Sequence, residues 1–222
     1  MSLDEQLSHL PTNDGILVVA DGAVIRKIAG ETGAEETEYK DFVNASGFDF
    51  RRDLDRLVAV IGPVDAYYVV TGHVDWGRIS AYATSQNGTC VKRVCSLPAS
   101  QAGRWISMTP LGATALAIAV SPRQLAVASM EESHHAVSAS QLPLLIRARG
   151  KDLQRWGLGA IDSLEARIEG ENLVAKAQMP NATLAESVAK ALEGKAPNLK
   201  RDGVNLTARW KLDGEMLGKM MQ

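Results

Sequence analysis

His73 and Asp75 stand two residues apart in Gly72-His-Val-Asp75. At the end of a strand they would share one face, the arrangement of a general base oriented by a carboxylate. The same aspartate sits where a helix would begin, and capping that helix is the simpler use for it. Glu131-Glu-Ser-His-His135 is the densest run of metal-ligating residue types. On a helix, Glu131 would face both His134 and His135, but a divalent ion needs a further ligand. Only the fold can say whether His9 or His73 supplies one, and acidic residues in a first helical turn complement the helix dipole without any metal. Ser187-Val-Ala-Lys190 matches the serine–lysine pattern of penicillin-recognising enzymes, yet the companion S-D-N and K-T-G patterns are missing. Ser187 and Lys190 fit the polar flank of an amphipathic helix equally well.

Dinucleotide, P-loop, zincin, nucleophile-elbow and calcium-loop patterns do not occur in the sequence. No catalytic residue is assigned on these grounds, and neither a metal nor a cofactor is called for. Asn44, Asn87, Asn181 and Asn205 each begin an N-x-[ST] triplet, and each reads better as a turn or cap residue. Lys195, Lys200 and Arg201 form a weak basic spot, read as a solvated loop. Trp76, Trp105, Trp156 and Trp210 are scattered and read as core filling.

Cys90 and Cys95 lie in Thr89-Cys-Val-Lys-Arg-Val-Cys-Ser96, which reads as one strand. Extended, their Cα atoms would be about 16 Å apart, beyond the ~7 Å that a disulfide spans. A bridge would need a tight turn through Val91-Lys-Arg-Val94, which holds no turn-forming residue, so two free thiols are expected. A C-x₄-C pair alone is no zinc signature.

The elements that must position these residues follow from pattern. The chain has 222 residues with 45% apolar content, enough for a substantial core. Its 24 Lys and Arg against 26 Asp and Glu leave a formal charge of −2, which argues against non-specific nucleic-acid binding. No run approaches the ~18 apolar residues of a membrane-spanning helix. The opening Met-Ser-Leu reads as a cloning scar on a trimmed chain, which would hide any export signal.

Strands are expected at Ile16 to Ala20, Leu54 to Ile61, Ala66 to Val74, Thr89 to Ser96, Trp105 to Thr109, Thr114 to Val120 and Gln124 to Ala128. Helices are expected after Asp21, near Tyr39 to Ala45, after Asp75 and from Glu131 to Ser138. In the C-terminal third, Leu164, Ala166 and Ile168 alternate with Glu165, Arg167 and Glu169, and Leu173 to Met179 alternates again, making a hairpin with one wet face. Thr183 with Glu186 reads as a capping box opening a helix. A strand over Val204 to Leu212 and a short helix from Asp213 follow. A strand, a capping residue and a short helix recur in this way along the chain. The expected fold is α+β: two antiparallel-sheet lobes, residues 4–139 and 144–222, joined near Ser140 to Pro143. Each lobe would carry short helices on one face, in ferredoxin-like β-β-α-β pieces, the pair possibly forming one unit.

Leu10-Pro-Thr-Asn-Asp-Gly-Ile-Leu-Val-Val19, followed by Phe42-Val-Asn-Ala-Ser-Gly-Phe-Asp-Phe-Arg-Arg-Asp-Leu-Asp-Arg56, resembles a group of exported bacterial α+β proteins of unknown function. The resemblance implies an extracytoplasmic, periplasmic or secreted location and carries no activity. The expectation is a non-enzymatic extracytoplasmic binding or scaffold protein that meets a protein or small-molecule partner. The alternative is a hydrolase-type enzyme using His73 with Asp75, or a metal near Glu131 and His134.

Overall fold

Apolar residues at every second position pair the chain into one sheet. The computed structural model describes residues 1–12, 14–30, 37–132, 139, 141–154, 158–194, 196 and 198–211. Its strands are β1 Ile16–Asp21, β2 Leu54–Ile61, β3 Ala66–Gly72, β4 Thr89–Val91, β5 Val94–Pro98, β6 Trp105–Pro110, β7 Ala115–Ser121, β8 Leu144–Arg149, β9 Ser163–Glu169, β10 Asn172–Gln178, β11 Lys200–Asp202 and β12 Asn205–Lys211. They form a single 12-stranded sheet in the order β11-β12-β10-β9-β8-β1-β2-β3-β7-β6-β5-β4. Every pairing in it is antiparallel.

The expected division into two lobes is therefore not a division of the sheet. β8 follows the 140–143 segment, yet it pairs with β1 on one side and β9 on the other, Val19 opposite Leu145 and Leu145 opposite Arg167. Leu144-Leu-Ile-Arg-Ala-Arg149 supplies this seam.

Seven short α-helices lie among the described residues: α1 Leu3–Ser8, α2 Gly22–Gly30, α3 Thr37–Ser46, α4 Phe50–Asp53, α5 Trp76–Ser85, α6 Gly150–Leu153 and α7 Ala182–Ala191. None is long and apolar enough to cross a membrane. α1 was not expected, and the supposed scar builds it. Ser2 accepts from the Glu5 amide while Glu5 reaches back to the Ser2 amide, a complete capping box. Leu3, Leu7 and Leu10 then join Val19, Val58, Val69 and Ala117 in the largest buried cluster. Helix α7 starts two residues earlier than expected, because Asn181 rather than Thr183 is its cap and accepts from the Leu184 amide.

Two further expectations change. Gln124 to Ala128 is no strand. Ala126–Met130 forms a 3₁₀ turn that lays Ala126, Val127 and Met130 into the main core. Its Val127 amide donates to the Ser107 hydroxyl, a partner no ladder could offer at that place. Thr89 to Ser96 is a hairpin, not one strand. Lys92 takes a left-handed φ of 56°, and the reversal sets Cys90 opposite Cys95. Their Cα atoms are 4.0 Å apart and the thiols form a disulfide. No free cysteine remains.

The sheet is finished differently at its two ends. Strand pairing puts Val19, Val58, Val69 and Ala117 on one face, under α1 and the 3₁₀ turn. The opposite face packs α5 on Leu97, Met108 and Leu116, and α2 on Ala20, Ile168 and Leu173. Helix α7 covers Leu206 on that same opposite face. The first face changes character beyond β8. There it carries Arg147, Glu165, Arg167, Glu169, Lys176 and Arg209, the wet face expected for the C-terminal hairpin.

Candidate functional site

A groove lies at the β4–β5 end of the sheet. It encloses about 660 Å³ between the disulfide hairpin and the end of the 3₁₀ turn, lined by His9, Val91, Lys92, Arg93, Leu111 and Glu131 among others. Each polar group there is held in place. His9 follows α1 and bonds through Nδ1 to the Met130 carbonyl at 2.8 Å. A carbonyl only accepts, so Nδ1 carries the proton and Nε2 is left as the acceptor. Glu131 accepts from the Thr109 hydroxyl at 3.2 Å. Arg93 donates to the Pro110 carbonyl at 3.2 Å, pinning the hairpin tip to the end of β6. Lys92 is exposed at the turn itself. Two cations thus face a carboxylate and an imidazole across an apolar floor, a shape that suits a polar or anionic group attached to an apolar body.

The fold therefore does bring His9 to Glu131, the pairing that sequence spacing alone left open. His134 and His135, the remaining members of that run, lie outside the described residues, as do Trp156, Lys195 and the helix expected from Asp213. Among the described residues no group of three His, Cys, Asp or Glu side chains converges in a way that would hold a metal ion.

His73 and Asp75 part company. The Asp75 carboxylate accepts from the Arg78 amide and caps α5. His73 is exposed, and its amide donates to the carbonyl of Asp53 at 2.9 Å. Ser187 and Lys190 sit exposed on α7, where Lys190 pairs with Glu186 at 3.2 Å. Lys200 and Arg201 form part of β11, and Arg201 borders a groove of about 470 Å³ with Glu186, Lys190 and Glu193. Of the N-x-[ST] asparagines, Asn181 is a helix cap and Asn87 a turn residue with φ of 60°.

The Gly47-Phe-Asp-Phe-Arg-Arg-Asp53 segment turns out to be a structural knot. Gly47 has φ of 72° and lies under the Arg78 guanidinium, where a Cβ would come 2.5 Å from Nη1. Arg78 in turn donates to the Asn44 carbonyl at 2.7 Å, closing the end of α3. Asp49 caps α4 and accepts from the Tyr39 hydroxyl at 2.6 Å. Burial, then this bond to Asp49, pushes the Tyr39 phenol up to about 12. Asp53 is 8% exposed. It takes two bonds of 2.8 Å from Arg52 and one of 2.8 Å from the Asp49 amide. The Arg52 bonds hold its carboxyl below the usual range. Gly72 packs against the Asp53 carbonyl so closely that a Cβ would lie 1.9 Å from it. The segment ties α3, α4, β2, β3 and α5 together.

A third groove, about 490 Å³, opens beside the β2–β3 turn. Arg123 there donates to Asp65 at 3.1 Å and to the Tyr67 hydroxyl at 2.6 Å.

With this geometry in hand, comparison with known proteins is informative about the fold alone. No protein-family model and no curated protein matches the chain. Solved structures do. The chain shares its fold with TP0453. Crystal form III of that bacterial protein superposes with a TM-score of 0.69 at 7% identity, covering 99% of this chain and 98% of TP0453. Form I gives 0.63 at 9% identity over 100% and 98%. Form IV gives 0.57 at 6% identity over 97% and 96%. The likeness to TP0453 extends over nearly the whole of both chains.

Proposed function

We propose that this chain is a non-enzymatic extracytoplasmic binding or scaffold protein that meets its ligand or partner at the groove between the disulfide hairpin and Glu131. The Cys90–Cys95 disulfide carries the reading. Such bonds persist in oxidising compartments such as the periplasm and the extracellular space, and are rare where glutathione keeps thiols reduced. The resemblance of the Leu10 and Phe42 segments to exported bacterial proteins agrees with it. His9, Glu131 and Arg93 are each tied to the scaffold at 2.8–3.2 Å, which gives the groove a pre-formed polar lining for a ligand.

The test is the thiol state of the protein in the cells that make it, trapped with acid and alkylated before any reductant is added. The expected result is an unmodified chain that takes up two alkyl groups only after reduction. Two alkylated cysteines in the unreduced sample would overturn the extracytoplasmic reading.

A further inference from the structure

We propose that the open face of β8, β9, β10, β12 and β11 docks an acidic, extended segment of a partner protein. The site is separate from the groove at the other end of the sheet and does not depend on it. Register places Arg147, Glu165, Lys176, Thr207 and Lys200 in one row across these strands. Arg167, Val174 and Arg209 form the next row, and Glu169 and Lys211 flank Asn172 in the last. Arg147, Glu165, Arg167, Glu169 and Arg209 are joined in a chain of ion pairs at 3.4, 3.2, 2.7 and 3.2 Å. Val174 is 0% exposed although no described helix covers it. It sits between Arg167 and Arg209 in the register, positions from which aliphatic arginine stems can cover a valine.

The face is thus rigid and pre-ordered, which lowers the entropy lost on binding. Its charge is one-sided. Arg147, Arg167, Arg209, Lys176, Lys200 and Lys211 outnumber Glu165 and Glu169, with Asp202 at the far edge, in a chain of net charge −2. Lys176, Lys200 and Lys211 are exposed.

Charge sign selects an acidic partner, and two further features select its kind. Carboxylates are interleaved with the cations, so a uniform polyanion such as duplex DNA or a sheet of lipid headgroups would meet repulsion from Glu165 and Glu169. A polypeptide can place its acidic groups against the lysines and leave neutral groups over the glutamates. The area is also small. Five strands spaced about 4.8 Å apart, the three central ones of 7 residues and β11 of only 3, give a face of at most about 20 by 24 Å. That falls well short of the ~800 Å² per side of a standard interface between folded domains. An extended segment of about seven residues fits it.

The experiment uses the full chain and a fluorescent ten-residue peptide of alternating Glu and Ser, with binding read by anisotropy in a low-salt buffer. The wild-type chain is expected to bind, and to release the peptide as salt is added. The Lys176→Glu/Lys211→Glu chain is expected to bind at least about tenfold more weakly. Lys176→Gln/Lys211→Gln should fall between, and Lys27→Glu, exposed on α2 at the opposite face of the sheet, should bind like wild type. Absence of binding by the wild type would overturn the proposal. So would an equal loss in Lys27→Glu. Tighter binding of anionic vesicles or duplex DNA than of the Glu-Ser peptide, with the same dependence on Lys176 and Lys211, would also overturn it and move the face to that other class of partner.

Discussion

One sheet is finished in two ways. From β1 through β2, β3 and β7, the face carrying Val19, Val58, Val69 and Ala117 is sealed by α1 and the 3₁₀ turn. Across the seam at β8, the same face turns outward as a lattice of Arg147, Glu165, Arg167, Glu169 and Arg209. The sealed half draws its stability from apolar burial and from the Asp53 knot. The open half rests on a single apolar face, under α2 and α7. Its charges add little stability, because exposed ion pairs give back in side-chain entropy most of what Coulomb attraction supplies. Spending a whole sheet face on charge makes physical sense if the face is for contact.

The contrast can be broken most forcefully with one substitution made in both halves. Val58 and Val174 are both 0% exposed and lie on the same face of the sheet. Val58→Ala opens a cavity among close-packed neighbours and is expected to destabilise by about 2–3 kcal/mol. Val174→Ala should lose only about 1 kcal/mol, since the arginine stems above it can settle into the space. Urea denaturation of the two variants checks this, and equal losses would mean that the open half is as tightly packed as the sealed one.

A carboxylate in each half sharpens the point. Asp53→Ala removes the Arg52 and Asp49 bonds from a buried site, and is expected to lose about 2 kcal/mol, or roughly 4–8 °C in melting midpoint. Glu169→Ala breaks comparable contacts on the open face and should leave the midpoint unmoved within error. A drop in the Glu169 variant matching that of Asp53→Ala would make the lattice a stability device.

A further contrast concerns pH. The Tyr39 phenol is raised to about 12 in the folded chain, against about 10 unfolded. Above pH 10 the unfolded chain releases this proton while the folded one keeps it. Stability present below pH 10 is thus lost as pH rises toward 12. Tyr39→Phe should flatten that part of the stability profile. An unchanged slope would mean that Tyr39 is not held by Asp49 in solution.

Sequence legibility follows the same divide. The hairpin from Leu164 to Met179 was readable because a sheet with one wet face alternates cleanly, and β9 and β10 pair as that alternation requires. Strands β1, β2, β3, β6 and β7 and helices α2, α3, α5 and α7 were likewise visible. The seam was not, because pairing of β1 with β8 joins residues more than a hundred positions apart, and no local pattern encodes that. The disulfide stayed hidden since its turn is made by Lys92, a residue type that seldom takes a left-handed φ. Helix α1 has a readable signal in the Ser2 and Glu5 capping box, which a reading of the opening residues as a scar hides. With α1 missing, nothing could bring His9 to Glu131, so the groove was out of reach. Within Gly47 to Asp53, Asp49 caps α4, an ordinary use for an aspartate at a helix start.

Hydrogen exchange along the whole chain tests the central claim, that one continuous sheet is finished in two ways. The account predicts that β8 amides exchange as slowly as those of β1, because each strand is paired on both sides, with protection then declining through β12 to β11. Fast, uniform exchange of everything after residue 143, with an abrupt step at β8, would contradict it and restore two separate lobes.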